Sequence, residues 1–71
     1  MGLLMMREYN SEIGHLIREI RGKMKIIEFA EDLGISASHL SAIELGKHKV
    51  GLKTAVRLAK YSGRPLRDFL G

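Results

Sequence analysis

The chain has 71 residues, enough for one small domain and too few for two. Hydrophobic residues make up 45% and charged residues 28%, a balance that folds rather than staying disordered, and the zero cysteine count excludes disulfides, thiolate zinc sites and a cysteine nucleophile. The net charge of +4 is held unevenly: residues 1–44 carry five basic and seven acidic side chains, whereas residues 45–71 carry Lys47, Lys49, Lys53, Arg57, Lys60, Arg64 and Arg67 against Asp68 alone. Cations clustered in this way attract a polyanion, nucleic acid being the commonest. The apolar run Leu3-Leu4-Met5-Met6 is far short of the roughly 18 residues of a membrane span, and no secretory signal is present, so a cytoplasmic location is expected. A chain this small buries only about 60% of its unfolded surface, which makes a shared core in a homodimer an expectation from size alone.

Glycines and the single proline divide the chain into short helical segments, and no alternating run is long enough for a strand, so the fold class is all-α. Residues 1–9 show no period and are expected to form a flexible N-terminal tail, leaving residues 10–71 as the folded domain. Asn10 or Ser11 is placed to cap a first helix whose apolar stripe is Ile13, Leu16, Ile17 and Ile20, with Gly22 ending it. Ile26, Phe29, Ala30 and Leu33 repeat that spacing in a second helix of about two turns, stopped by Gly34. Ser36 is a good N-cap for a third helix, and Ile35 before it is set to staple onto Leu40. Leu40 and Ile43 face inward, Gly46 terminates, and the loop Lys47-His48-Lys49 leads to a fourth helix from about Leu52 to Tyr61 with the stripe Leu52, Ala55, Val56 and Ala59. Lys53, Arg57 and Lys60 fall together on a neighbouring flank of that helix. Gly63 closes it, and Pro65 opens a short fifth helix carrying Leu66, Phe69 and Leu70.

Two short helices joined by Leu33-Gly34-Ile35-Ser36 meet the requirements of a helix-turn-helix. Ala30 leaves room for a close crossing, Gly34 supplies a positive φ, and Leu40 and Ile43 anchor the second helix of the pair from behind. Through the stretches FAEDLGIS, HLSAIELGK and AVRLAKYSGRPLRDFL, the sequence resembles the lambda-repressor and Cro-like helix-turn-helix family over about residues 13–70. The resemblance implies a compact five-helix DNA-binding domain whose third helix enters the major groove of double-stranded DNA, bound as a homodimer on an inverted repeat. It implies a transcriptional regulator without a cofactor, and a repressor rather than an activator, since these residues leave nothing for a separate activation domain.

Carried over by position, the family's base-contacting sites fall on Ala37, Ser38, Ser41 and Ala42, with His39 beside them. All but His39 are short, and no bidentate Arg, Gln or Asn is present, so readout is expected to rest on hydroxyls, thymine methyl contacts and DNA shape. Phosphate contacts are implied for Ser36, Lys47, His48, Lys49 and Lys53. At the start of the second helix, where the family carries a Gln on a phosphate, this chain has Lys25 and Ile26, and Lys23 or Lys25 is expected to substitute by charge. The turn before that helix is shorter than usual and Gly51 stands where a Pro is common. Glu44 matches an acidic position that pairs with an Arg ending the first helix, here Arg21, a structural role like those of Ala30, Gly34, Leu40 and Ile43.

A different class of function, an antitoxin-like module that binds a protein partner, would use Leu3 to Met6 as an adhesive tail and Val50, Phe69 and Leu70 as an exposed patch. An enzyme is not expected: His15, His39 and His48 lack metal-ligand spacing, and neither a Gly-x-Ser-x-Gly elbow nor a phosphate loop is present.

Overall fold

The computed structural model describes the backbone of residues 2–70 and the side chains of residues 12–70. Four α-helices follow one another, α1 (Gly2–Arg21), α2 (Ile26–Leu33), α3 (Ala37–Glu44) and α4 (Leu52–Ser62), and a single 3-10 turn, Leu66–Phe69, closes the chain. Two expectations are corrected here. Helix α1 starts at Gly2, so Asn10 and Ser11 lie inside it and not at its cap; Leu, Met, Arg and Glu are strong helix formers and carry the helix past a weak mid-helix cap signal. The fifth helix is one 3-10 turn, bounded by extended Pro65 and by Leu70 outside helical geometry, with the Asp68 amide donating to the Pro65 carbonyl at 3.1 Å.

The other boundaries follow from local chemistry. Gly34 has φ 72°, and paired bonds from the Gly34 amide to the Glu31 carbonyl and from the Ile35 amide to the Ala30 carbonyl, both 3.0 Å, form a Schellman stop to α2. The same arrangement ends α3, with Gly46 at φ 76° and the Lys47 amide reaching the Ala42 carbonyl at 2.9 Å. The Oγ of Ser36 accepts from the His39 amide at 3.1 Å and so caps α3 at its N-terminus, while Ile35 packs against the core that holds Leu40.

The core consists of Ile17, Phe29, Ala30, Leu33, Leu40, Ile43, Ala55, Leu58 and Phe69, one or more from every element. Helix α3 lies between α1 and α2, α2 also packs on α4, and α4 carries the closing turn. Where α1 crosses α3, Gly14 is buried against backbone: a methyl built on it would overlap the Glu44 carbonyl oxygen. The buried face of α4 is Thr54, Ala55 and Leu58, with Ala59 packed beside it; of the expected stripe, Ala55 and Ala59 face the core and Leu52 does not, being 64% exposed. Leu52 is the first residue of the helix, and the face turned inward is fixed one turn later. Phe69 is fully buried and Val50 is half-buried against the core, so neither belongs to an exposed patch; Leu70 is exposed. The side chains of Leu3 to Met6 lie outside the described residues.

Candidate nucleic-acid interface

The helix-turn-helix is built from α2, the Gly34 turn and α3, and three devices hold α3 in place. Leu40 and Ile43, both essentially inaccessible, anchor its inner face. Glu44 at its last turn binds Arg21 in a two-point pair, with Arg21 Nε donating to Oε2 at 2.8 Å and Nη2 to Oε1 at 3.0 Å. The remaining amino group, Nη1, donates to the Met24 carbonyl at 2.9 Å, so one guanidinium fixes the end of α3 and the connection between α1 and α2 together. The hydrogen bonds to Glu44 and its negative charge raise the Arg21 pKa above its ordinary value despite partial burial. The third device is the crossing at Gly14. The sequence signalled it only as a glycine inside a helical stripe, which is how a close backbone approach reads.

Ser38 and His39 are exposed on α3, and Ser41 and Ala42 are half-buried beside them. Ala37, grouped with the base-reading positions by resemblance, is half-buried and packs against the core, which leaves less of it free for a ligand. The loop after α3 exposes Lys47, His48 and Lys49, and Lys53 is exposed in the first turn of α4. The rings of His39 and His48 meet edge to face with centroids 5.9 Å apart, a contact that joins the start of α3 to the loop and that the sequence did not signal. Gly51 takes φ −71° and ψ 162°, the conformation a proline would hold, so the loop keeps its course without one.

Lys23 and Lys25 are exposed around the start of α2. Lys25 is the N-cap residue in extended conformation and gives no side-chain cap, and Ile26, in the place of the family's Gln, packs on the core instead. The α2 N-terminus therefore has exposed ammonium groups and no side-chain cap. Lys53, Arg57 and Lys60 are all exposed, as their shared flank predicts, yet the Arg57 guanidinium lies against Gly34, a placement sequence reasoning did not give.

A family model described as helix-turn-helix matches residues 16–69. The chain belongs to the Cro/C1-type helix-turn-helix family. Neither a curated protein nor a solved structure matches it significantly. This helix-turn-helix protein is accordingly a DNA-binding transcription regulator, of a family that is regulatory and not enzymatic. Among the described residues of the helix-turn-helix protein, no three His, Asp or Glu side chains converge as a metal site, and no helix is long and apolar enough to cross a membrane.

Proposed function

We propose that this regulator is a sequence-specific repressor that acts in the cytoplasm as a homodimer, laying α3 of each copy into successive major grooves of an inverted repeat. The observation that carries the reading is one run of accessible side chains, with Ser38 and His39 exposed and Ser41 and Ala42 half-buried on α3, joined through the His39–His48 ring contact to the exposed loop Lys47, His48 and Lys49 and followed by exposed Lys53 on α4. Short side chains at the centre admit the helix close to base edges, and the flanking cations neutralise phosphates. Ser36 and Ala37 stand at the N-terminus of α3, and Lys23 and Lys25 supply further cations at the start of α2.

Repression needs no more than occupancy of the DNA, which such a surface provides. A second copy is favoured by Leu45 at the end of α3 and Leu52 at the start of α4, 61% and 64% exposed, which are apolar side chains in need of cover. Two copies related by a twofold axis would read half-sites about 34 Å apart, one helical turn.

Selection of bound sequences from a random duplex library, run at two salt concentrations, tests the proposal. Recovery of a palindrome whose affinity exceeds that of random DNA by orders of magnitude is the expected result. Binding without enrichment, lost uniformly as salt rises, would sink sequence specificity and turn attention to a protein partner as the main ligand.

A further inference from the structure

We infer that Arg57 is a positioning residue for DNA recognition: it braces α4 onto the turn between α2 and α3 and is not a phosphate contact. The inference rests on the proposed DNA-reading role of α3. A methyl built on Gly34 would overlap Arg57 Nη1 and sit 3.0 Å from Cζ, so the guanidinium lies directly on the turn. Gly34 therefore answers two demands, a positive φ and a surface flat enough for the guanidinium to cover.

The electrostatics agree with this placement. Helix α2 ends with its carbonyl groups pointing at the turn, has no basic residue in its own last turn, and exposes Glu31 and Asp32 there. A cation at the C-terminal end of a helix is favourable, and here it is delivered from another helix. One turn further along α4, Tyr61 stacks edge-on against Phe29 with ring centroids 5.1 Å apart. Two side chains four residues apart on α4 thus grip α2 at its middle and at its exit. One turn before Arg57 on the same helix is Lys53, beside the cationic loop. The brace thereby couples the part of α4 that carries phosphate-seeking charge to the turn that sets the direction of α3.

A brace and a phosphate contact differ in what salt reveals. On the duplex selected by the wild-type protein, Arg57→Gln is expected to weaken specific binding by about tenfold, the scale of one mismatched base pair, with the slope of log affinity against log salt unchanged. Non-specific affinity should stay near wild type. A slope reduced by about 1 for each bound copy, with specific and non-specific binding falling together, would mark a phosphate contact and overturn the brace. Arg57→Lys keeps the charge and loses the planar group; it is expected to recover only part of the loss seen with Arg57→Gln, and full rescue would overturn the inference by showing that charge alone matters.

Denaturation of the free protein tests the contact without DNA. Gly34→Ala should lower the unfolding midpoint less in an Arg57→Gln background than in wild type, because the group it displaces is gone. Equal shifts would overturn the contact. Failure to select any duplex would overturn the positioning role together with the reading it rests on, and the Gly34 and Arg57 cycle would still report separately on the contact.

Discussion

Gly14→Ala sets two effects of opposite sign against each other. In the interior of an exposed helix the change stabilises by about 1 kcal/mol, because alanine lowers the entropy lost on folding. Here the new methyl would overlap the Glu44 carbonyl oxygen and lie 2.8 Å from both the Glu44 carbonyl carbon and the Ile43 carbonyl oxygen, whereas ordinary contact begins near 3.4 Å. The obstacle is backbone of α3, which has no rotamer to change. Helix α1 must therefore back away from α3 by at least 0.6 Å, the gap between those two distances. That movement loosens the packing around Ile17 and Ile43, which are among the most buried side chains, and it strains the 2.8 and 3.0 Å bonds from Arg21 to Glu44 two turns along. Overpacking of this kind costs about 1–3 kcal/mol, and with backbone as the immovable partner the upper half of that range applies.

The net expectation is a loss of about 1–2 kcal/mol, which in a domain of this size lowers the melting temperature by roughly 5–15 °C. Thermal and urea unfolding at one fixed protein concentration measure it, since self-association makes the midpoint concentration-dependent. An unchanged m-value would place the effect in the native state. A variant as stable as wild type, or more so, would show that the α1 and α3 backbones are not in contact at Gly14 and would remove the main argument for how α3 is seated.

Glu44→Ala should destabilise by about 3 kcal/mol, near the lower end for a broken buried pair, because the Arg21 side chain retains 18% exposure, and a loss under about 0.5 kcal/mol in urea unfolding would contradict the two-point pairing. Since the Arg21 pKa is raised, the stability tied to its charge is complete below its ordinary value and is lost only as pH rises through the elevated one, so a pH titration of stability across the neutral and moderately alkaline range should show no step from this group. Gly51→Ser supplies the N-cap that α4 lacks, at a backbone geometry serine accepts and with open space around its Cβ, and should raise stability by about 0.5–1 kcal/mol in the same unfolding assay. Lys47→Ala and Lys49→Ala should each reduce the salt slope of DNA binding by about 1 per bound copy, so a drop near 2 indicates a dimer on the duplex and a drop near 1 a monomer.

Much of the domain was legible because its punctuation is chemically specific. Gly22, Gly34, Gly46 and Gly63 all adopt positive φ where helices end, and Ser36 caps where a serine before Ala37 should. Periodicity located Leu40, Ile43, Phe29 and Ala30 correctly, and the pairing of Arg21 with Glu44 followed from resemblance. The start of α1 was not legible, since Asn10 and Ser11 carry a cap preference that operates only if the chain upstream leaves the helix, and strong helix formers decide otherwise. The inner face of α4 was misjudged by including Leu52, because apolarity at a helix's first turn says nothing of whether a neighbour covers it. Arg57 on Gly34, His39 on His48 and Gly14 on α3 are contacts between elements, and only the crossing geometry of the helices creates them.

If α3 reads base edges as proposed, its short side chains make the seating of that helix decisive. An arginine or glutamine that reaches a base edge can absorb a small shift of its backbone through its own torsions, whereas Ser38, Ser41 and Ala42 have one rotatable bond or none. Under the proposed reading, specificity then depends on where the α3 backbone itself sits in the groove. Arg21 and Glu44 fix its end, Gly14 sets its distance from α1, and Arg57 on Gly34 sets its entry from α2. Substitutions at any of these five residues should therefore change which duplexes are preferred, although none of the five is among the proposed base-contacting residues. Substitutions at Lys47, Lys49 and Lys53 should change how tightly all duplexes are held while leaving their ranking intact. Repeating the duplex selection with Gly14→Ala and with Lys49→Ala separates the two roles: identical rankings from both would mean that α3 is not read through its position.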